Sequence, residues 1–163
     1  TNLPELCERV LVAVCHENDE AHPIPLRTPF HSCRVPPITI PEYIKRIQRY
    51  SKCSPECFII ALIYIERFFE ATGYVLTYFN AYRMILIGIM LAAKFRDDVY
   101  FSNGYYGSIG GIPREEVNSL EILFLTTIDW RLWVEPNVYW KCLERSCHRV
   151  YHCGGKPKTI SYV

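Results

Sequence analysis

The fold is decided by residues 84–95, which read Met-Ile-Leu-Ile-Gly-Ile-Met-Leu-Ala-Ala-Lys-Phe. The first ten form the longest uninterrupted apolar run in the 163-residue chain. Such a run is too short to cross a bilayer, but it suits a helix that is buried in a globular core. Because apolar side chains occur nearly all round the helical repeat, we predict that residues 81–95 form the central helix of an all-α fold.

Two charged residues interrupt the apolar pattern around this helix. Lys94 ends the central helix, and Glu121 lies in a later helical pattern. Glu121 shares a stripe with five apolar residues, Val117, Leu120, Phe124, Leu125 and Ile128, which should be the driest face of that helix. A buried carboxylate needs a partner, and Lys94 is the nearest preceding lysine. The two charges form either a structural ion pair, with the lysine reaching toward water, or a site for the backbone groups of another protein.

Start and stop signals divide the rest of the chain into helices. Thr39 and Glu42 form a capping-box pattern, Ser54-Pro55-Glu56 begins another helix, and Asn80 is placed to cap the central one. Residues 18–37 hold five of the eleven prolines and are predicted to be an extended connector, and the Tyr- and Gly-rich residues 97–112 a loop. The predicted helices span residues 3–16, 39–50, 54–72, 81–95, 113–128 and 135–151.

These elements predict one domain of five helices around the central one, with an additional N-terminal helix. The N-terminal helix and connector occupy residues 1–37, the helical domain residues 38–151, and a mobile tail residues 152–163. The formal charge of +1 argues against a protein that binds phosphates or nucleic acid. The eight cysteines are expected to be reduced, because several fall in helical patterns, and this favours the cytoplasm or nucleus.

Three other patterns were considered for chemistry. Residues 104–111 are glycine-rich but follow no strand and lack Gly-Lys-Ser/Thr, so a phosphate cradle is disfavoured. Cys147-His148 and His152-Cys153 leave a zinc-stabilised structural domain as an alternative, although Cys-x-x-Cys is missing. No grouping of nucleophile and base is recognisable. We therefore predict neither enzyme activity nor a cofactor, a metal, a small-molecule substrate or a membrane.

Three segments resemble the cyclin box. They are residues 91–95, Leu-Ala-Ala-Lys-Phe; residues 120–125, Leu-Glu-Ile-Leu-Phe-Leu; and residues 128–132, Ile-Asp-Trp-Arg-Leu. Residues 107–113, Gly-Ser-Ile-Gly-Gly-Ile-Pro, are similar to the P/U-type group, in particular the phosphate-pathway cyclins. The resemblance extends over residues 38–149. It implies a five-helix cyclin box from a eukaryotic protein.

The resemblance also implies a regulatory subunit that binds and activates a cyclin-dependent protein kinase, in the cell cycle or in phosphate signalling. In the family, a lysine and a glutamate hydrogen-bond main-chain groups around the movable regulatory helix of the kinase. Those roles fall here on Lys94 and Glu121. The apolar contacts around them fall on five residues, Leu91, Phe95, Leu125, Trp130 and Leu132.

Two departures from the family pattern limit the prediction. The chain has a single box, and its first box helix lacks the Met-Arg-Ala-Ile-Leu patch with which cell-cycle cyclins dock substrates. The other alternative is a nucleic-acid-binding adaptor with a cyclin-like fold. Such adaptors pair two boxes and carry basic faces, whereas this chain has one box and a charge near zero.

Overall fold

The computed structural model describes residues 2–21 and 27–152. All regular structure within these ranges is helical, so the predicted all-α class is confirmed. The helices are α1 (Leu3–Ala21), α2 (Ile40–Ser51), α3 (Glu56–Thr72), α4 (Tyr78–Arg96), α5 (Asn103–Gly110), α6 (Arg114–Thr127) and α7 (Pro136–Tyr151). None of these helices combines the length and the apolar character that a bilayer crossing needs.

Helix α4 lies at the centre of the molecule. It packs against α1, α2, α3, α5 and α6, and its residues from Met84 to Ala93 are all buried. A helix that is apolar all round reaches its lowest free energy when neighbours cover every face. The apolar pattern of residues 84–93 therefore correctly predicts the central helix.

The start of α4 differs from the prediction that Asn80 caps it. Thr77 is the N-cap residue, and α4 begins at Tyr78. Asn80 lies in the first turn, where its side-chain oxygen accepts a hydrogen bond from the Thr77 backbone N–H at 2.8 Å. The same side chain donates to the carbonyl of Val75 at 3.0 Å. Asn80 thus satisfies backbone groups at the helix start from inside the helix.

Helix α1 is longer than predicted, because it continues beyond His16 to Ala21. Its last polar side chains bind other helices. Asn18 donates to the carbonyl of Leu76 at 2.8 Å, and Glu17 pairs with Arg149 at 2.6 Å. These tertiary contacts stabilise a turn that the sequence pattern alone assigns to the connector.

The boundaries of the connector and tail concern both described and undescribed residues. Buried side chains of α1, among them Leu6 and Val10, belong to the same core as α2, α3, α4 and α7. The boundary between residues 37 and 38 stays a prediction. Pro23, Pro25 and residues 153–163 of the predicted tail lie outside the described residues.

Helix α5 lies inside residues 97–112, which we predicted to be a loop, and that prediction is wrong. Ser102 caps the helix by accepting a hydrogen bond from the Tyr105 backbone N–H at 3.2 Å. At the other end, Gly111 adopts the left-handed conformation, with φ of 70°. Gly107 faces α6 so closely that a Cβ there would lie 2.3 Å from the carbonyl oxygen of Ile112. The glycines permit close packing rather than disorder.

Candidate functional site

Lys94 and Glu121, the two charges singled out in the sequence, meet in the structure. Lys94 lies in the last turn of α4 and Glu121 in the middle of α6, and Lys94 Nζ is 2.7 Å from Glu121 Oε2. Their side chains are 25% and 18% exposed. The prediction that Glu121 occupies the driest face of its helix is therefore wrong, since the pair lies at the rim of the core and not inside it.

Asn103, the first residue of α5, completes the site. Its carboxamide oxygen accepts a hydrogen bond from Lys94 Nζ. Its Nδ2 donates to Glu121 Oε1 at 3.1 Å and to Asn118 Oδ1 at 2.8 Å. The sequence analysis missed this residue because it placed residues 97–112 in a loop. The capping residue Ser102, directly before Asn103, is the signal that could have located it.

The chemistry of this cluster suits recognition of a polypeptide backbone. A carboxylate accepts hydrogen bonds and an ammonium group donates them, so together they can bind both main-chain N–H and C=O groups. A partly exposed ion pair contributes about 0–1 kcal/mol to folding, because water screens it. The pair is therefore a weak contribution to stability that stays accessible at the surface.

A second ion pair joins the same two helices. Arg83 Nε of α4 lies 2.6 Å from Glu116 Oε1 of α6, and the two side chains are 21% and 34% exposed. Arg83 also donates to Ser32 Oγ at 2.8 Å. Arg83 precedes Lys94 by eleven residues, or about 16 Å along a helix. The two pairs have similar burial, but they lie at different places on the surface.

The five apolar residues predicted to surround the charges are not equivalent. Leu91 and Leu125 are buried in the core, and Leu132 is half-buried against it. Phe95 and Trp130 are exposed. A partner can therefore touch only the last two extensively without a rearrangement of the core.

Other large apolar side chains are exposed on the elements that carry the charged cluster. Ile122 follows Glu121 on α6, and Val99 and Tyr100 lie between α4 and α5. The sequence analysis missed all three. An apolar residue such as Ile122 on the solvent side of an amphipathic helix is the signal for it. We call the five exposed residues Phe95, Val99, Tyr100, Ile122 and Trp130 the apolar rim.

The backbone holds Trp130 in a strained conformation. Asp129 and Trp130 both have positive φ, 55° and 57°, which costs about 1–2 kcal/mol per non-glycine residue. Two side chains of α3 bind the following carbonyls. Tyr64 donates to that of Leu132 at 2.7 Å, and Arg67 donates to those of residues 131 and 133 at 2.6 and 3.0 Å. The turn is fixed, and so is the direction in which the indole leaves the surface.

The Cys/His cluster considered for zinc is only partly described. The rings of His148 and His152 stack with their centroids 5.6 Å apart, and Cys153 lies outside the described residues. Across residues 2–21 and 27–152, no group of three potential ligands could hold a metal ion. Cys7 and Cys142 are buried, and burial raises the pKa of both thiols, that of Cys142 to about 11.

Comparison with known proteins adds family evidence to this geometry. A sequence model of the Cyclin family matches residues 8–132. Cyclin-U3-1 of Arabidopsis thaliana is 45% identical over 112 residues, covering 69% of this chain and 51% of the relative. Cyclin-U4-1 of the same plant is 41% identical over 111 residues, covering 68% and 55%. Cyclin-P3-1 of Oryza sativa subsp. japonica is 40% identical over 112 residues, covering 69% and 48%. The chain thus spans about half the length of these curated relatives.

Proposed function

Since the chain belongs to the cyclin family and carries a cyclin box of the U/P type, we propose that it binds and activates a cyclin-dependent protein kinase. The family has a regulatory role, and its members are not enzymes. The observation that carries the proposal is the Lys94–Glu121 pair. It is partly exposed and is carried by elements that also hold the apolar rim.

In this proposal the charged cluster binds main-chain groups of the regulatory helix of the kinase. Glu121 accepts from backbone N–H groups and Lys94 donates to backbone carbonyls. Phe95 and Trp130 contact the kinase directly because they are exposed, while Leu91, Leu125 and Leu132 support them from the core. Large exposed side chains around a polar centre are typical of binding hot spots.

Activation follows from binding to one conformation of the kinase. A ligand shifts a conformational equilibrium only by its difference in affinity for the two states. A kinase is active when its regulatory helix brings a glutamate to the catalytic lysine. A cyclin that binds the helix in that position, and binds the displaced helix weakly, raises the active population.

Binding is tested with a matched pair of ion-pair variants. Purified cyclin-dependent kinases are titrated by calorimetry with the wild type, Glu121→Gln, and the control Glu116→Gln. Loss of one side of a desolvated contact typically costs about 2–5 kcal/mol, or about thirtyfold or more in Kd. Glu121→Gln should show this loss and Glu116→Gln should keep its affinity within about twofold, both variants being folded by circular dichroism. Equal affinities for all three proteins would refute the proposed site.

Activation needs a separate measurement. Peptide phosphorylation by the kinase that binds is measured at limiting and at saturating concentrations of the chain. We expect the rate to rise with occupancy and to reach a plateau when the kinase is saturated. A kinase that binds the chain with an unchanged rate at saturation would show that the protein is a scaffold and not an activator.

A further inference from the structure

Two cysteines outside the proposed kinase-binding site are in contact. Cys53 lies in the turn between α2 and α3, and Cys57 lies in the first turn of α3. The Cys57 thiol is hydrogen-bonded to the sulfur of Cys53. Cys53 is half-buried and Cys57 is buried, so the pair has one accessible sulfur and one protected sulfur.

The surroundings of the two sulfurs make them chemically unequal. The hydrogen bond from Cys57, together with one from Ser51 Oγ at 3.3 Å, lowers the pKa of Cys53. The same contact with Cys53, followed by burial, raises the pKa of Cys57. Cys57 Sγ lies 3.6 Å from Asp97 Oδ2, to which it donates. Cys53 therefore favours the thiolate, and Cys57 remains a thiol beside a carboxylate that can accept its proton.

We propose that Cys53 and Cys57 form a dithiol site that hydrogen peroxide converts reversibly into an intramolecular disulfide. The Cys53 thiolate attacks one peroxide oxygen, the O–O bond breaks, and hydroxide leaves, giving a sulfenic acid. The Cys57 sulfur then attacks the Cys53 sulfur, its proton passes to Asp97, and hydroxide leaves. In total, two thiols and one peroxide give one disulfide and two waters, so sulfur is oxidised and peroxide is reduced.

The other described cysteines lack this combination. Cys33 is exposed, but no thiol partner lies beside it among the described contacts. Cys7, Cys15 and Cys142 are buried, and burial raises their pKa values. Because reaction with peroxide requires both a thiolate and access, Cys53 should react before them, and Cys57 should resolve its sulfenic acid.

The arrangement of tryptic sites makes the product easy to identify. Cleavage after Lys52 and Arg67 gives one peptide that contains both cysteines. The reduced, full-length chain is treated with graded hydrogen peroxide, blocked with iodoacetamide and digested. We expect this peptide to lose both alkyl groups together, to be lighter than the dithiol peptide by two hydrogens, and to recover both labels after dithiothreitol.

Three variants separate the two steps. Cys57→Ser should stop at a sulfenic acid on Cys53 that dimedone traps, Cys53→Ser should leave Cys57 reduced, and Cys33→Ser should form the disulfide normally. The wild-type peptide needs no variant to fold, so it decides the proposal by itself. The proposal is overturned if Cys33 or Cys147 loses its thiol before Cys53 does, or if Cys53 forms its disulfide with another cysteine.

Discussion

Asn103 donates from Nδ2 to Oε1 of Glu121 at 3.1 Å, while Oε2 of the same carboxylate lies 2.7 Å from Lys94 Nζ. Each oxygen of Glu121 therefore has its own partner, and the plane of the carboxylate is fixed. Asn103 is also the first residue of α5, so a helix of eight residues sets the orientation of a charge on α6. A group that is oriented before binding loses less conformational entropy when its partner arrives.

Asn103→Ala should weaken both the fold and kinase binding, since it removes hydrogen bonds to Lys94 and Glu121. Loss of a typical intramolecular hydrogen bond lowers the free energy of unfolding by about 0.5–1.5 kcal/mol. Urea unfolding measures the stability and calorimetry measures the affinity. Ser108→Ala, which removes a hydroxyl bonded only within α5, is the control and should retain its affinity. A variant at Asn103 that matches the wild type in both measurements would contradict this role.

Trp130→Ala should weaken kinase binding strongly, because a fixed and exposed indole is a typical hot spot of an interface. We expect a loss of about 2 kcal/mol or more, or about thirtyfold in Kd. The matched control is Tyr74→Ala. Trp130 is 61% exposed and Tyr74 41%, but Tyr74 precedes the opposite end of α4 from Lys94. A similar loss of affinity in both variants would mean that Trp130 is not a specific contact.

The sequence predicts helices well where the apolar pattern is strong and long. Residues 84–93 are apolar on every face, and the capping box of Thr39 and Glu42 is present as expected. It fails for α5, which has eight residues and three glycines. The intrinsic preference of such a segment for the helix is weak, and packing against its neighbours stabilises it. Those contacts cannot be predicted before the fold is known.

The same limit applies to the site. The sequence indicates that Glu121 needs a partner and correctly offers Lys94. It does not find Asn103, whose carboxamide reaches the pair only because α5 is helical. It also groups Leu91 and Leu125 with Phe95 and Trp130, although the first two are buried. Residue type indicates an apolar contact, but only the packing shows whether that contact faces the core or a partner.

Gly107→Ala should destabilise the protein, because the new Cβ would lie 2.3 Å from the carbonyl oxygen of Ile112. Overpacking of this kind typically costs about 1–3 kcal/mol. Gly104→Ala, in the same helix, is the control. Its Cβ would lie 3.3 Å from Cδ of the flexible Arg114 side chain, and alanine is favoured over glycine in helices by about 0.5–1 kcal/mol. Thermal unfolding of both variants measures the difference, and equal melting temperatures would show that α5 can shift.

His31 should make the fold sensitive to mild acid. Its Nδ1 accepts a hydrogen bond from the Thr28 backbone N–H at 2.8 Å, and burial lowers its pKa below the ordinary 6.5. Since the unfolded chain binds a proton more readily, the contribution of His31 to stability is fully present above pH 6.5 and is lost as the pH falls toward the lowered pKa.

The comparison for this prediction uses His31→Asn, which keeps an acceptor but cannot take up a proton in this range. Urea unfolding at several pH values between about 7.5 and 5 should show a smaller loss of stability in the variant than in the wild type. His16→Asn, at an exposed histidine paired with Glu20, should follow the wild type. Parallel pH profiles for all three proteins would mean that His31 does not contribute to the pH dependence.

The segment 98–102 is anchored at both ends, and this bears on how relatives can diverge. The carboxylate of Asp97 accepts hydrogen bonds from the backbone N–H and hydroxyl of Ser54, at 2.9 and 2.5 Å, and Asn103 is bound to Lys94 and Glu121. With its ends fixed, even a doubling of the intervening length costs only about 0.6 kcal/mol. Insertions and exchanges around Val99 and Tyr100 can therefore accumulate during evolution without moving the charges. Related chains could keep one recognition frame while this short strap comes to favour different kinases.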